Sequence, residues 1–323
     1  MNHLVLRSLS YHWRTNLAVC LGVAAAVAVL GGALLVGDSV RGSLRDLALS
    51  RLGRTDRAVS STGYFREALA GEIAGAAPVD AAPLISAGGF VTHEPSGRRA
   101  SGVLVYGVDE RFWRFHGLEP REGVFVSPAL GVELAVADGD VLLTRLQMPS
   151  EIPLESLFAH KEDLARTVRL TVAGTLARDQ LGEFSLHPQQ AEVRAVFAPL
   201  RRLQRDLGVA GLVNTILLAE GAPGESVQRA FQSAVRLEDL GVKVETAAGG
   251  SALIVESASG VIGDQLEQAA RSAGETIGLM PQPVLTYLAN TIRIGDRTVP
   301  YSLVSGIDLR TWPSSGPEPR APS

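Results

Sequence analysis

Leu17–Gly37 reads LAVCLGVAAAVAVLGGALLVG, twenty-one consecutive residues without a charge. At about 1.5 Å rise per residue such a helix is roughly 31 Å long, the thickness of a bilayer hydrocarbon core. The reading that decides the architecture is therefore a membrane-spanning helix near the amino terminus. A cleaved signal peptide is one alternative, since Gly31 and Ala33 are small enough for a cleavage site, but its apolar region ordinarily runs about 7 to 15 residues. A buried helix of a soluble protein is another, because six alanines and four glycines make the span only moderately hydrophobic. Its uninterrupted length argues for the membrane. Gly22 and Ala26, like Ala24 and Ala28, are four residues apart, so one face could let a second helix approach closely. An alanine-rich composition also yields such pairs by chance.

Before the span, Leu4, Leu6, Leu9 and Trp13 alternate with Arg7, Ser8, Ser10, His12 and Arg14. This fits an amphipathic surface helix over residues 1–15 with Trp13 at headgroup depth, the alternative being a loose polar leader. The span then occupies 16–37. Beyond it, Asp38 or Ser39 can cap a helical turn, and Val40, Leu44 and Leu47 recur at helical spacing. A helical stalk over 38–52, carrying Asp38, Arg41 and Arg45, is expected. Arg7 and Arg14 precede the span while Arg41, Arg45, Arg51, Arg54 and Arg57 follow it, so the arginine count alone puts the carboxyl-terminal side in the cytoplasm. That count is meant for short loops and weighs little against a large following domain.

From Thr55 the pattern becomes short β-rich runs and modest helices separated by Gly, Pro and Ser clusters, which predicts an α+β domain. Ala82–Thr92 and Arg99–Val108 flank Glu94-Pro95-Ser96-Gly97 as a hairpin, preceded by a helix over Phe65–Ala74. Ser127 and Pro128 mark a helix start, and Gly139-Asp140 turns the chain into the strand VLLTRL. Strands are expected over Thr167–Ala177, Val193–Phe197 and LVNTILLA. Helices are expected over Pro199–Leu207, Ser226–Leu240, with Val227, Phe231, Val235 and Leu240 inward, and Val261–Ala273.

Composition narrows the function classes. Hydrophobic residues make up 46% and charged residues 20%, values of a folded globular chain rather than a disordered one. The net charge of -4 gives no cationic field for nucleic acid. The only lysines, Lys161 and Lys243, follow His160 and Val242, so no glycine-lysine phosphate loop is present and the chain is not its own P-loop ATPase. Cys20 stands alone, which excludes an intramolecular disulfide and a cysteine-built zinc site. No HExxH, GxSxG, GxGxxG or ExxH motif occurs, and the six histidines are far apart in sequence. No catalytic, cofactor or metal residue is assigned, and no enzyme is expected. His160-Lys161-Glu162-Asp163 reads as a solvated helix face. Arg111-Phe112-Trp113-Arg114-Phe115 reads either as a lipid or partner contact or as core packing.

The stretch RSLSYHWRTNLAVCLGVAAAVAVLGGALLVGDSVRGSLRDLALSRLG resembles the opening of FtsX-like, MacB-type ABC transporter permeases: a surface helix, a first membrane span and an outward stalk. SPALGVELAVADGDVLL, VRAVFAPLRRLQRDLGVAGLVNTILLA and PVLTYLANTIRIGDRTVPYSLVSGID resemble that family's extracytoplasmic core domain, so the likeness covers most of the chain. It implies a MacB-like periplasmic core domain over 53–308, an inner-membrane location and a cytoplasmic amino terminus, against the local arginine count. It further implies a non-enzymatic permease component coupled to a partner P-loop ATPase, with Arg7, Trp13, Arg14, Asp38, Arg41 and Arg45 as candidate coupling residues. After Asp308 the sequence reads LRTWPSSGPEPRAPS, where a full permease continues into three further membrane helices. The expectation is a truncated or split permease, completed by further membrane helices or by a second copy in a dimer, with 309–323 a disordered Pro/Ser-rich tail. A single-pass envelope binding or scaffold protein is the alternative.

Overall fold

The computed structural model describes residue 7 and residues 10–147, 165–247, 250 and 252–307. Most of the expected surface helix, the His160–Asp163 cluster and the tail lie outside the described residues. Helix α1, Trp13–Arg51, runs unbroken through the apolar span and the charged segment after it. At about 1.5 Å per residue it measures roughly 58 Å. It stops because Gly53 takes the left-handed conformation, φ +58, just after the cap residue Leu52, whose N–H donates to Leu49 O.

The chain then enters strand β1, Thr55–Arg66. There follow α2 (Ala68–Ala76), β2 (Ala81–His93), β3 (Arg99–Val108), α3 (Glu110–Phe115), β4 (Val124–Val126), α4 (Pro128–Leu134) and β5 (Val141–Gln147). Next come β6 (Ala165–Thr175), β7 (Ala195–Pro199), α5 (Leu200–Leu207), β8 (Leu212–Ala219) and α6 (Gly224–Ala234). The expected hairpin is present as β2 and β3, with Gly97 N–H donating to His93 O at its tip. Ser127 caps α4 with Pro128 in the first turn, because its Oγ accepts from Leu130 N–H. Two expectations are corrected. Phe65 and Arg66 end β1 instead of opening a helix, since they pair with Val213 and Leu212 of β8. The helix expected to reach Leu240 ends at Ala234; Val235 is extended and Leu240 is 59% exposed.

Eight strands form one sheet in the order β1-β8-β2-β3-β7-β4-β6-β5. The first residues of β2 pair with β8, whereas residues 89–93 pair with β5. That second pairing closes β2-β3-β7-β4-β6-β5 into a barrel and leaves β1 as the outermost strand of the sheet. Gly89 permits the crossover, because a Cβ there would lie 2.6 Å from the carbonyl oxygen of Arg145 on β5. The core has two parts. One, inside the barrel and under α2, α5 and α6, contains Leu69, Ile73, Ile85, Val103, Leu130 and Leu142. The other gathers Tyr106, Phe112, Trp113, Phe115, Phe184 and Phe197. The α3 cluster is thus core packing: Phe112 is 0% and Trp113 1% exposed.

A smaller region follows α6. A 3₁₀ turn, Leu237–Leu240, leads to β9 (Val242–Thr246), which pairs with β10 (Leu253–Ser257); α7 (Asp264–Thr276) and the hairpin β11 (Val284–Ile294) and β12 (Arg297–Ile307) complete it. Arg66 holds the turn to β1 and α2, bonding Asp239 at 2.7 Å and Glu72 at 2.8 Å. The mixed helix and strand architecture behind one apolar helix is the α+β class expected.

Candidate functional site

The arrangement through which a membrane helix can act on this domain is the joint at the end of α1. Arg51 is the only residue of α1 that is buried among those described, at 7% exposure. Its guanidinium donates to Gln189 O at 2.6 Å and lies 3.7 Å from Glu183, while its carbonyl accepts from Ser185 N–H. A buried cation is costly unless paired, so these partners fix the last helical turn against the 183–189 loop.

Three residues on, Arg54 makes the second anchor. Its backbone N–H donates to His116 Nδ1 at 3.2 Å, its side chain to Phe115 O at 2.9 Å, and the guanidinium stands 3.3 Å from Asp80. His116 closes α3 and is wedged among rings, with centroids 4.7 Å from Phe112, 4.9 Å from Phe115 and 5.3 Å from Phe184. Because Nδ1 accepts, the proton of the neutral ring sits on Nε2, which is buried without a partner. Burial pushes the imidazole pKa down to about 4, and the Arg54 charge adds to that. Gly53 passes over this ring so closely that a Cβ would fall 2.6 Å from Nδ1. The glycine therefore serves both the turn and the contact. Helix, turn, α3 and the 183–189 loop are thus joined by hydrogen bonds, an ion pair and close ring contacts.

The six residues proposed from sequence do not meet in this joint. Arg7 is helical and exposed; Trp13 opens α1 with the Arg14 guanidinium 5.5 Å over its ring. Asp38, Arg41 and Arg45 are exposed along the second half of α1, and none of the six has an ion pair among the described residues. Arg14 and Asp38 are separated by roughly 36 Å of helix at 1.5 Å per residue. Sequence reasoning missed Arg51, Gly53, Arg54 and His116. The one signal was Gly53 after a helical run, a common stop; His116 lies 62 residues from Arg54 and gave none.

Elsewhere, the fold unites residues that looked isolated. His93 Nδ1 is 2.7 Å from Ser96 Oγ and Nε2 is 3.0 Å from Asp140 Oδ2, which ties the β2–β3 tip to the entry of β5. Ser96 Oγ also accepts from Arg98 N–H, and Asp140 from Ala137 N–H. Among the described residues no group of three or more His, Cys, Asp or Glu is placed to hold a metal.

Helix α1 is also the one helix, among the described residues, long and apolar enough to cross a membrane. No curated protein sequence matches the chain. Several solved structures are distantly similar, among them two transporter regions. The periplasmic region of MacB from Actinobacillus actinomycetemcomitans has a TM-score of 0.36 and 8% identity, covering 71% of this chain and 98% of that one. The extracellular domain of the noncanonic ABC-type transporter YknZ from Gram-positive bacteria has a TM-score of 0.35 and 10% identity, covering 56% and 92%. The sequence model of the MacB-like periplasmic core domain matches residues 15–234, from the membrane helix to the end of α6. An apolar anchor followed by such a domain describes a membrane-anchored chain with an extracytoplasmic region. With that match spanning more than half of its length, the chain belongs to the MacB-like periplasmic core domain family of ABC-type transporter permeases.

Proposed function

We propose that this chain is a non-enzymatic permease component that couples a partner P-loop ATPase to its extracytoplasmic domain. Its amino terminus is cytoplasmic and the domain lies on the far side of the inner membrane. The single observation that carries this reading is the locked joint: α1 runs without a break into Arg51, and Gly53, Arg54 and His116 fasten it to the core. A tether that only anchors a domain needs no such fixation; a transmission rod does. In this reading Arg7, Trp13 and Arg14 face the ATPase at the cytoplasmic surface, and Asp38, Arg41 and Arg45 lie on the stalk that carries motion outward. Further membrane helices complete the transport or signalling path, because one span cannot enclose one.

Purification of the full chain in mild detergent tests this. Co-purification of a P-loop ATPase is expected, and Arg7→Glu with Arg14→Glu should release it. A cysteine at Ser60 in a Cys20→Ser background should react with an impermeant maleimide added outside intact spheroplasts. Protein free of any ATPase and unaffected by the arginine changes would refute the coupling and favour a single-pass envelope scaffold.

A further inference from the structure

The barrel wall formed by β2, β5 and β6 carries a surface that the stalk joint does not use. Val91, Thr144 and Val168 are paired across these three strands and all are buried, so they mark the inward face. The residues on either side of them therefore point outward, by the period of two. One outward row runs across four strands as Arg99, Thr92, Leu143 and Arg169, and the next reads Phe90, Arg145 and Thr167. Neighbouring strands lie about 4.8 Å apart and alternate residues about 7 Å, which puts the Cα atoms of Arg99, Arg145 and Arg169 within roughly 15 Å of one another. Arg202 of α5 borders the row, since its guanidinium donates to Arg169 O at 3.1 Å.

All four arginines are exposed. Among the described residues two carboxylates meet them: Glu94 bonds Arg169 at 2.7 Å and Asp206 bonds Arg202 at 2.6 Å. Arg99 and Arg145 form no ion pair with a described residue. The wall is thus cationic on a chain whose net charge is -4. Its cations are all arginine, whose planar fork can give a carboxylate two parallel N–H bonds. Phe90 stands among them. It sits at the bulge of β2, where the pairing with β3 skips from Gly89 to Val91, and it is 52% exposed. Between Thr55 and Ala234 the only other large apolar side chain so exposed, among the described residues, is Val132. An aromatic ring set among arginines has the composition of a protein–protein interface core, in which both are enriched and lysine and glutamate are depleted.

We propose that this wall, Phe90 with Arg99, Arg145 and Arg169, is the docking surface for an acidic segment of a partner polypeptide that carries an apolar side chain between its carboxylates. The carboxylates take the forked donors of Arg99 and Arg145 and compete with Glu94 for Arg169. The apolar side chain covers Phe90 and the half-buried Leu143. Inorganic phosphate or a lipid headgroup would pair with the arginines and leave the ring in water, so the ring favours a polypeptide. This assignment goes beyond the permease reading and does not depend on it.

The test uses the full chain in phosphatidylcholine nanodiscs and a fluorescein-labelled peptide of repeating Glu-Glu-Leu. Saturable anisotropy is expected, weakening at least about fivefold between roughly 50 and 200 mM salt. A peptide with glutamine for glutamate should bind about tenfold more weakly or worse, and one with serine for leucine severalfold more weakly. These two peptides test the proposal without any change to the protein. Arg99→Gln with Arg145→Gln should weaken binding about tenfold or more, and Phe90→Ser severalfold, with unchanged circular dichroism spectra. Arg114→Gln with Arg229→Gln removes the same charge from α3 and α6 and should leave binding unaltered. No saturation, equal binding of the glutamate and glutamine peptides, or equal loss in the two double variants would overturn the proposal. Displacement of the peptide by phosphatidylglycerol vesicles or by inorganic phosphate would overturn it by assigning the wall to a headgroup or a phosphate. A dimer that Arg99→Gln with Arg145→Gln dissolves would overturn it by assigning the wall to a second copy.

Discussion

Gly53→Ala probes the joint most directly. Alanine at φ +58 costs about 1 kcal/mol in the left-handed region. Its Cβ would stand 2.6 Å from His116 Nδ1 and 3.2 Å from Leu181 Cδ2, where ordinary contact begins at 3.4 Å. The ring must retreat by most of an ångström, yet Phe112, Phe115 and Phe184 block it. Retreat also strains the 3.2 Å bond from Arg54 N–H, worth about 1 kcal/mol. Overpacking of this kind costs about 1–3 kcal/mol, so the total should be near 3 kcal/mol. His116→Ala removes the obstacle, and in that background Gly53→Ala should cost only the backbone share. Urea unfolding of the full chain in detergent, followed by near-ultraviolet circular dichroism of the aromatic core, measures all four corners of the cycle. A coupling of about 2 kcal/mol is expected. Additive effects, or a single-variant cost under about 1 kcal/mol, would show that Gly53 and His116 do not bear on each other.

Three further outcomes follow from the packing. His116 has its folded pKa lowered from 6.5 to about 4, so the unfolded chain binds the proton first. Stability is then unaffected above about pH 6.5 and falls as pH drops toward 4, by up to about 3 kcal/mol; His116→Gln should flatten that window in urea titrations, and an identical pH profile would contradict the assignment. Arg66→Met leaves the Asp239 carboxylate, 1% exposed, without its cation. A loss of about 3–5 kcal/mol, largely restored by adding Asp239→Asn, is expected in thermal unfolding. Ser127 Oγ accepts from both Leu130 and Ala195 N–H groups at a fully buried position, so Ser127→Ala should cost about 2 kcal/mol by the same measurement, against near zero for a cap open to water.

The membrane helix, the β2–β3 hairpin and the Ser127-Pro128 start of α4 were legible in the sequence, because each depends on neighbours within a few residues: an apolar run of spanning length, two strands around a turn, a cap with its proline. Strand β1 was not legible. Its burial pattern lacks strict alternation, and its place is set by β8, about 150 residues away. Barrel closure through β2 and β5, and the choice of core over surface for Phe112, Trp113 and Phe115, depend equally on what packs against them. The joint itself is assembled from Arg51, Gly53 and Arg54 with residues 26 to 138 positions distant. The sequence by itself determined that a membrane-length helix leads into an α+β domain, since hydrophobic length and local periodicity act along the chain. Only the tertiary structure decided how that helix is fastened to the domain, since burial and hydrogen bonding act between segments that the sequence keeps apart.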